Sequence, residues 1–145
     1  MRKINLGGIF LGGVIASVAF LCAELAVEGI VSAVFGYNEG ELLRKHFSNS
    51  RIRGAEYIVI TLIGLFIFSV TSIWIYALLL PRFNSWIKTA LVVSLIVLCI
   101  AYLPIINFVN LGLLPLTVFL MSFIFNLIEI PAAIFLGSAV YSIKE

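Results

Sequence analysis

The sequence predicts an all-α fold: a polytopic membrane protein built as a four-transmembrane-helix bundle. The 145-residue chain is 63% hydrophobic and only 11% charged, whereas roughly a quarter of the residues in soluble domains are charged. Four apolar runs each exceed the ~20 residues that an α-helix needs to cross a hydrocarbon core. These runs lack the alternating polar residues of barrel strands, and helices satisfy every backbone polar group internally. We therefore predict one domain over residues 1–145, with helices at about 6–34, 57–80, 86–109 and 114–140.

The first predicted helix follows two cations, Arg2 and Lys3, in the manner of a secretory signal peptide. Its apolar run is about twice as long as the hydrophobic core of such a signal, so we expect the helix to be retained. Gly8, Gly12 and Ala16 recur at every fourth position. The hydrophobic effect does not drive helices together in lipid, but small side chains let their backbones approach closely. This small-residue stripe therefore predicts a helix–helix contact.

The same helix carries two acids, Glu24 and Glu28, four residues apart in the stretch FLCAELAVEGI. Gly13 and Ser17 lie on the same helix face, next to the small-residue stripe. A carboxyl near the middle of a membrane-spanning helix costs on the order of 3 kcal/mol, which disfavours a lipid-facing Glu24. We therefore predict that this polar stripe faces the interior of the bundle.

The segment between the first two helices, GYNEGELLRKHFSNSRIRGAE, is the most polar part of the chain. Leu42, Leu43 and Phe47 could form the apolar side of a short helix at the membrane interface, and a solvated loop is an equal alternative. In both cases we expect the basic residues of the segment to meet lipid headgroups. These residues are Arg44, Lys45, Arg51 and Arg53.

A short turn, PRFNSWIK, separates the second and third helices. Arg82 and Lys88 flank Trp86, so both cations can reach lipid headgroups while the indole lies at the interface. This side of the membrane carries five cations, and the opposite side carries four that are confined to the first loop. The positive-inside rule then slightly favours a cytoplasmic location for both termini and for this turn.

In the fourth helix, Asn126 and Glu129 share a face with Ser122, and Pro131 leaves the carbonyl of Leu127 without its helical donor. In the second helix Ser69, Ser72 and Tyr76 align, and in the third Cys99 and Tyr102 lie near Asn107. Every helix thus has one polar stripe, and the simplest packing points all four stripes inward. We predict an intramembrane polar site there and leave two roles open: a contact that only holds the bundle together, and a site for a ligand, a proton or a partner. Its predicted members are Glu24, Glu28, Asn126, Glu129, Ser17, Tyr76 and Tyr102.

The sequence offers little chemistry for catalysis. The only histidine, His46, lies outside every predicted span, the chain has no aspartate, and the glycines of GGIFLGG lie inside an apolar helix. A di-iron bundle, a hydrolytic triad and a phosphate-binding loop are therefore disfavoured. Isolated cysteines such as Cys22 and Cys99 behave as small apolar residues. We predict no catalytic residue, no metal site, no cofactor and no nucleic-acid partner.

Three segments resemble an uncharacterised family of small bacterial four-helix integral membrane proteins: LGGVIASVAFLCAELAVEG, WIYALLLPRFNSWIKTAL and LIEIPAAIFLGSAVY. The resemblance covers most of the chain and is weakest in the long first loop. It implies a four-helix fold and a bacterial-type cytoplasmic membrane, but no activity. A weaker likeness is to small multidrug transporters, which also have four helices and a glutamate in the first. That likeness implies that Glu24 is a proton- and cation-binding acid, although those proteins are shorter and lack counterparts of Glu129 and the basic loop.

From these features we expect a non-enzymatic membrane protein that acts as an accessory or scaffold subunit of a homo-oligomer or a larger membrane complex. The small-residue stripe and the scarcity of chemistry-bearing residues favour this hypothesis, and membrane lipid is the other expected partner. The alternative hypothesis is a proton-coupled small-molecule transporter that works as a dimer through Glu24.

Overall fold

The computed structural model describes residues 4–36 and 55–143, which form four long α-helices. Each helix is long and apolar enough to cross a membrane, and the described residues contain no β-strand. The prediction of an all-α protein with four membrane-spanning helices is therefore confirmed, with helix ends within three residues of the predicted ones. The predicted basic loop lies outside the described residues. The helices are α1 (Leu6–Phe35), α2 (Ala55–Phe83), α3 (Trp86–Asn110) and α4 (Leu116–Ile143).

Local capping explains where α1 begins and ends. The Asn5 side chain accepts a hydrogen bond from the Gly8 N–H at 2.9 Å, which satisfies one of the free donors in the first turn. Gly36 adopts a φ of 63° directly after the helix, and its N–H donates to the Ser32 carbonyl. Glycine reaches this left-handed conformation without steric cost, so it stops the helix here.

The connections on either side of α3 are short. Asn84, with a φ of 50°, and Ser85 join α2 to α3, and residues 111–115 join α3 to α4. Connections of this length make neighbouring helices run antiparallel. Ring contacts support this arrangement for α3 and α4, because Trp86 packs on Phe135 while Tyr102 packs on Phe119.

The most extensive contact in the bundle is between α1 and α4, and α4 also packs against α3 and α2. It runs antiparallel to α1, as shown by the contact of Gly8 with Tyr141 and of Gly12 with Gly137. Helix α2 packs against α1 and α3 and meets α4 around Tyr76, whose ring lies edge-on to Tyr141. The helices therefore form a ring in the order α1, α4, α3, α2.

Packing is tightest at one end of this ring, where the N-terminal halves of α1 and α3 meet the C-terminal halves of α2 and α4. All of the largest fully buried side chains lie there. They are Tyr76, Tyr141, Ile73, Val93, Thr89, Ser94 and Ser138.

The opposite end is open along α1 and α2. Seven consecutive residues of α2, Ile58 to Gly64, are exposed. Because seven residues make almost two helical turns, no face of α2 is covered there by the described residues. In α1, the residues from Glu24 to Ile30 are also exposed, apart from the half-buried Val27. The bundle thus has a packed end and an end at which two half-helices have little cover.

Candidate functional site

The small-residue stripe of α1 lies in the contact with α4. A Cβ atom added to Gly12 would lie 2.7 Å from the Gly137 carbonyl oxygen, and one added to Gly137 would lie 2.6 Å from the Gly12 carbonyl oxygen. Gly8 lies against the Tyr141 ring, and Ala16 is buried beside Gly137. In this reciprocal approach, the Cα–H group of each glycine faces the carbonyl oxygen of the other. Such Cα–H···O contacts are weak hydrogen bonds that recur where helices pack closely.

Sequence reasoning did not assign Gly137 to this contact, although a signal was available. Ala133 and Gly137 are small residues four positions apart, the same spacing that singled out the stripe on α1. Both are buried. Small residues at this spacing on two helices would have predicted the pairing of α1 with α4.

The polar stripe of α1 begins in the contact with α2. A Cβ atom on Gly13 would lie 2.5 Å from Val70, so the two helices approach closely at this point. Ser17 is buried one turn later, and its hydroxyl donates to the Gly13 carbonyl at 2.8 Å. The first half of the polar stripe therefore faces a neighbouring helix, as predicted for the whole stripe.

The second half of this stripe is more exposed than the first. Both Glu24 and Glu28 are exposed, whereas Glu129 is only 3% exposed. The reason lies in α2. Its exposed N-terminal half leaves the α2-facing side of α1 uncovered beyond Ser17.

Helix length shows how deep these acids lie. A hydrocarbon core takes up about 20 residues of a helix, and α1 has 30 residues. Every window of about 20 residues within α1 includes residues 16–25, so Glu24 lies in the hydrocarbon wherever the membrane is placed. The same reasoning puts Glu129 in the hydrocarbon, because it lies near the middle of α4. Glu28 falls outside that shared range and can reach an interface.

The other predicted polar residues are placed separately rather than in one cluster. The Tyr76 hydroxyl lies 3.0 Å from the Ser142 hydroxyl, which ties α2 to α4 at the packed end. Tyr102 is buried against the rings of Phe119 and Phe123, towards the other end of α3. These two tyrosines therefore belong to different parts of the bundle.

Asn126 is half-buried, and its amide donates to the Ser122 carbonyl of its own helix at 2.9 Å. Ser72 and Ser94 likewise donate to carbonyls four residues earlier in their own helices. Hydroxyl and amide groups in a membrane can be satisfied locally in this way, so a polar stripe on a helix does not require a polar partner across the bundle.

The predicted headgroup residues of the α2–α3 turn are all exposed: Arg82, Trp86 and Lys88. The four basic residues of the first loop, Arg44, Lys45, Arg51 and Arg53, lie outside the described residues. Within residues 4–36 and 55–143, no three histidine, cysteine or acidic side chains come together in a group that could hold a metal ion.

In comparisons with known proteins, no protein-family model, no curated protein and no solved structure matches the chain significantly. The helices themselves define a class, that of multi-pass α-helical membrane proteins.

Proposed function

We propose that this chain is a non-enzymatic membrane subunit that associates within the bilayer with a second membrane chain, through the exposed halves of α1 and α2. The observation that carries the proposal is the exposure of Glu24 at a depth that lies in the hydrocarbon for every placement of α1. Carboxyl groups at such depths are costly in contact with lipid and nearly always face protein or water. A covering chain lowers this cost.

Two glycines in the same exposed halves support the proposal. A Cβ atom on Gly29 of α1 or on Gly64 of α2 would meet no atom within 4 Å. Glycine inside a helix costs about 1 kcal/mol relative to alanine, and in membranes it usually marks a close helix contact. Gly12, Gly13 and Gly137 all make such a contact within the chain. Gly29 and Gly64 make none with the described residues, and a contact with another chain accounts for them.

Site-specific photo-cross-linking in native membranes tests this proposal. Leu25, 68% exposed on α1, and Leu95, 62% exposed on α3, are matched positions for a photoreactive amino acid. We expect a discrete protein adduct from position 25 and none from position 95. An adduct of twice the chain mass would indicate a homo-oligomer, and any other discrete mass would indicate a larger complex. If both positions cross-link only to lipid, the result would contradict the proposal.

A second candidate function is proton-coupled transport by a dimer, and the position of Glu24 favours it over other activities. Glu24 lies within the hydrocarbon span of α1 and is exposed on the single chain, where a second copy could cover it. Proteoliposomes under a proton gradient would show substrate flux that is lost in Glu24→Gln and kept in Glu28→Gln. Flux that persists in Glu24→Gln would exclude a transport role for this acid.

A further inference from the structure

The α2–α3 turn presents two cations that no described residue neutralises. Arg82 lies in the last turn of α2 and Lys88 in the first turn of α3, and both residues are exposed. Within the described residues, neither side chain forms an ion pair or a hydrogen bond. Since the turn joins two membrane-spanning helices through only Asn84 and Ser85, it lies at one face of the membrane. The nearest abundant anions at that face are lipid phosphates.

Trp86 lies between these two cations in the sequence, and its indole is positioned by a contact with α4. One side of the ring packs edge-on against Phe135, with centroids 5.9 Å apart and planes at 81°. The ring is nevertheless 44% exposed, and no described residue accepts a hydrogen bond from its Nε1–H. Tryptophan in this situation places its apolar body among acyl chains and its N–H at the headgroup level.

We propose that the α2–α3 turn is a binding surface for anionic phospholipid headgroups, with Arg82 and Lys88 contacting the phosphate region and Trp86 fixing its depth. This surface lies at the opposite end of α2 from the exposed Ile58–Gly64 segment, so it is independent of the proposed subunit contact. It selects lipids by charge, because each basic residue near a membrane surface favours anionic over neutral lipid.

The chain contains only two tryptophans, Trp74 and Trp86, which makes a site-specific test possible. In Trp74→Phe, Trp86 reports on lipids at the turn. In Trp86→Phe, Trp74 reports on a position eight residues before Arg82, about 12 Å along the axis of α2. Trp74 is 50% exposed, so the two probes have similar access to lipid.

Each variant is reconstituted in equimolar mixtures of phosphatidylglycerol and phosphatidylcholine, with one of the two lipids brominated on its chains. For Trp86, we expect the brominated anionic lipid to quench fluorescence more strongly than the brominated neutral lipid. The affinity of the turn for the anionic lipid should be at least about fivefold higher, which is the ratio expected from one cation near the membrane surface. For Trp74, we expect no preference. Equal quenching of Trp86 by both lipids would overturn the proposal.

Two further arms identify the cause. Arg82→Gln with Lys88→Gln should abolish the preference at Trp86, while the charge-conserving pair Arg82→Lys with Lys88→Arg should keep it. A preference that survives the glutamine pair would overturn the role of these residues.

Inorganic phosphate, compared with chloride at equal ionic strength, should leave the preference unchanged. If phosphate removes it, the surface is a site for free phosphate rather than for lipid, and the proposal fails.

Discussion

At the scale of single residues, the glycine positions separate packing within the chain from packing outside it. Gly12 faces the Gly137 backbone at a distance that leaves no room for a Cβ atom, whereas Gly29 meets nothing. We expect Gly12→Ala to destabilise the fold by roughly 1–3 kcal/mol because the two backbones must move apart, and Gly12→Leu to prevent assembly of α1 with α4. Gly29→Ala, the matched control, should leave thermal unfolding in detergent unchanged or slightly raise its midpoint. Equal effects of the two alanine variants would refute the assigned contact.

The two intramembrane acids should respond differently to mutation. Glu129 is buried in the bundle, so Glu129→Leu removes a polar group from a packed environment and should cost roughly 1–2 kcal/mol. Glu129→Gln keeps its shape and most of its hydrogen-bonding capacity and should cost less. Glu24 is exposed, so Glu24→Leu should cost less stability than Glu129→Leu. Thermal unfolding of the three variants checks this order, and a larger loss for Glu24→Leu than for Glu129→Leu would contradict it.

At the scale of helices and turns, the α2–α3 connection depends on the backbone of Asn84. Its φ of 50° lies in the left-handed region, which asparagine and glycine tolerate and β-branched residues do not. We therefore expect Asn84→Gly to be neutral and Asn84→Val to destabilise the protein by about 1–2 kcal/mol. The midpoint of thermal unfolding is the measurement, and Asn110→Val at the end of α3 is a control without positive φ. A neutral Asn84→Val would show that the turn can adopt another conformation.

The helices were predictable from the sequence because their signal is local. Each apolar run reports its own length, and capping residues such as Asn5 and Gly36 lie next to the ends that they define. The facing of side chains was only partly predictable. The sequence placed Gly12 in a helix contact, where the structure has it, but the exposure of Glu24 was not predictable, because it depends on how α2 packs against α1. The packing of α2 against α1 is a tertiary property, and no residue near Glu24 in the sequence indicates it.

At the scale of the whole molecule, the bundle is asymmetric along its helix axes. The packed end holds the reciprocal Gly12–Gly137 contact, the Tyr76–Ser142 hydrogen bond and the α2–α3 turn. The open end holds the half-helices that we propose as a subunit contact. A chain of this form can bring two functions to opposite faces of a membrane, lipid contact at the turn and subunit contact towards the other side.

This asymmetry makes the orientation of the chain a testable property, and α3 supplies matched positions for the test. Asn84 and Asn110 are exposed asparagines at opposite ends of the same membrane-spanning helix. Because the turn carries Arg82 and Lys88, the positive-inside rule predicts that Asn84 is cytoplasmic. In a background with Cys22 and Cys99 replaced by serine, an impermeant thiol reagent should label Asn110→Cys in intact cells and Asn84→Cys only after permeabilisation. The reverse pattern would invert the orientation and place the cationic turn outside.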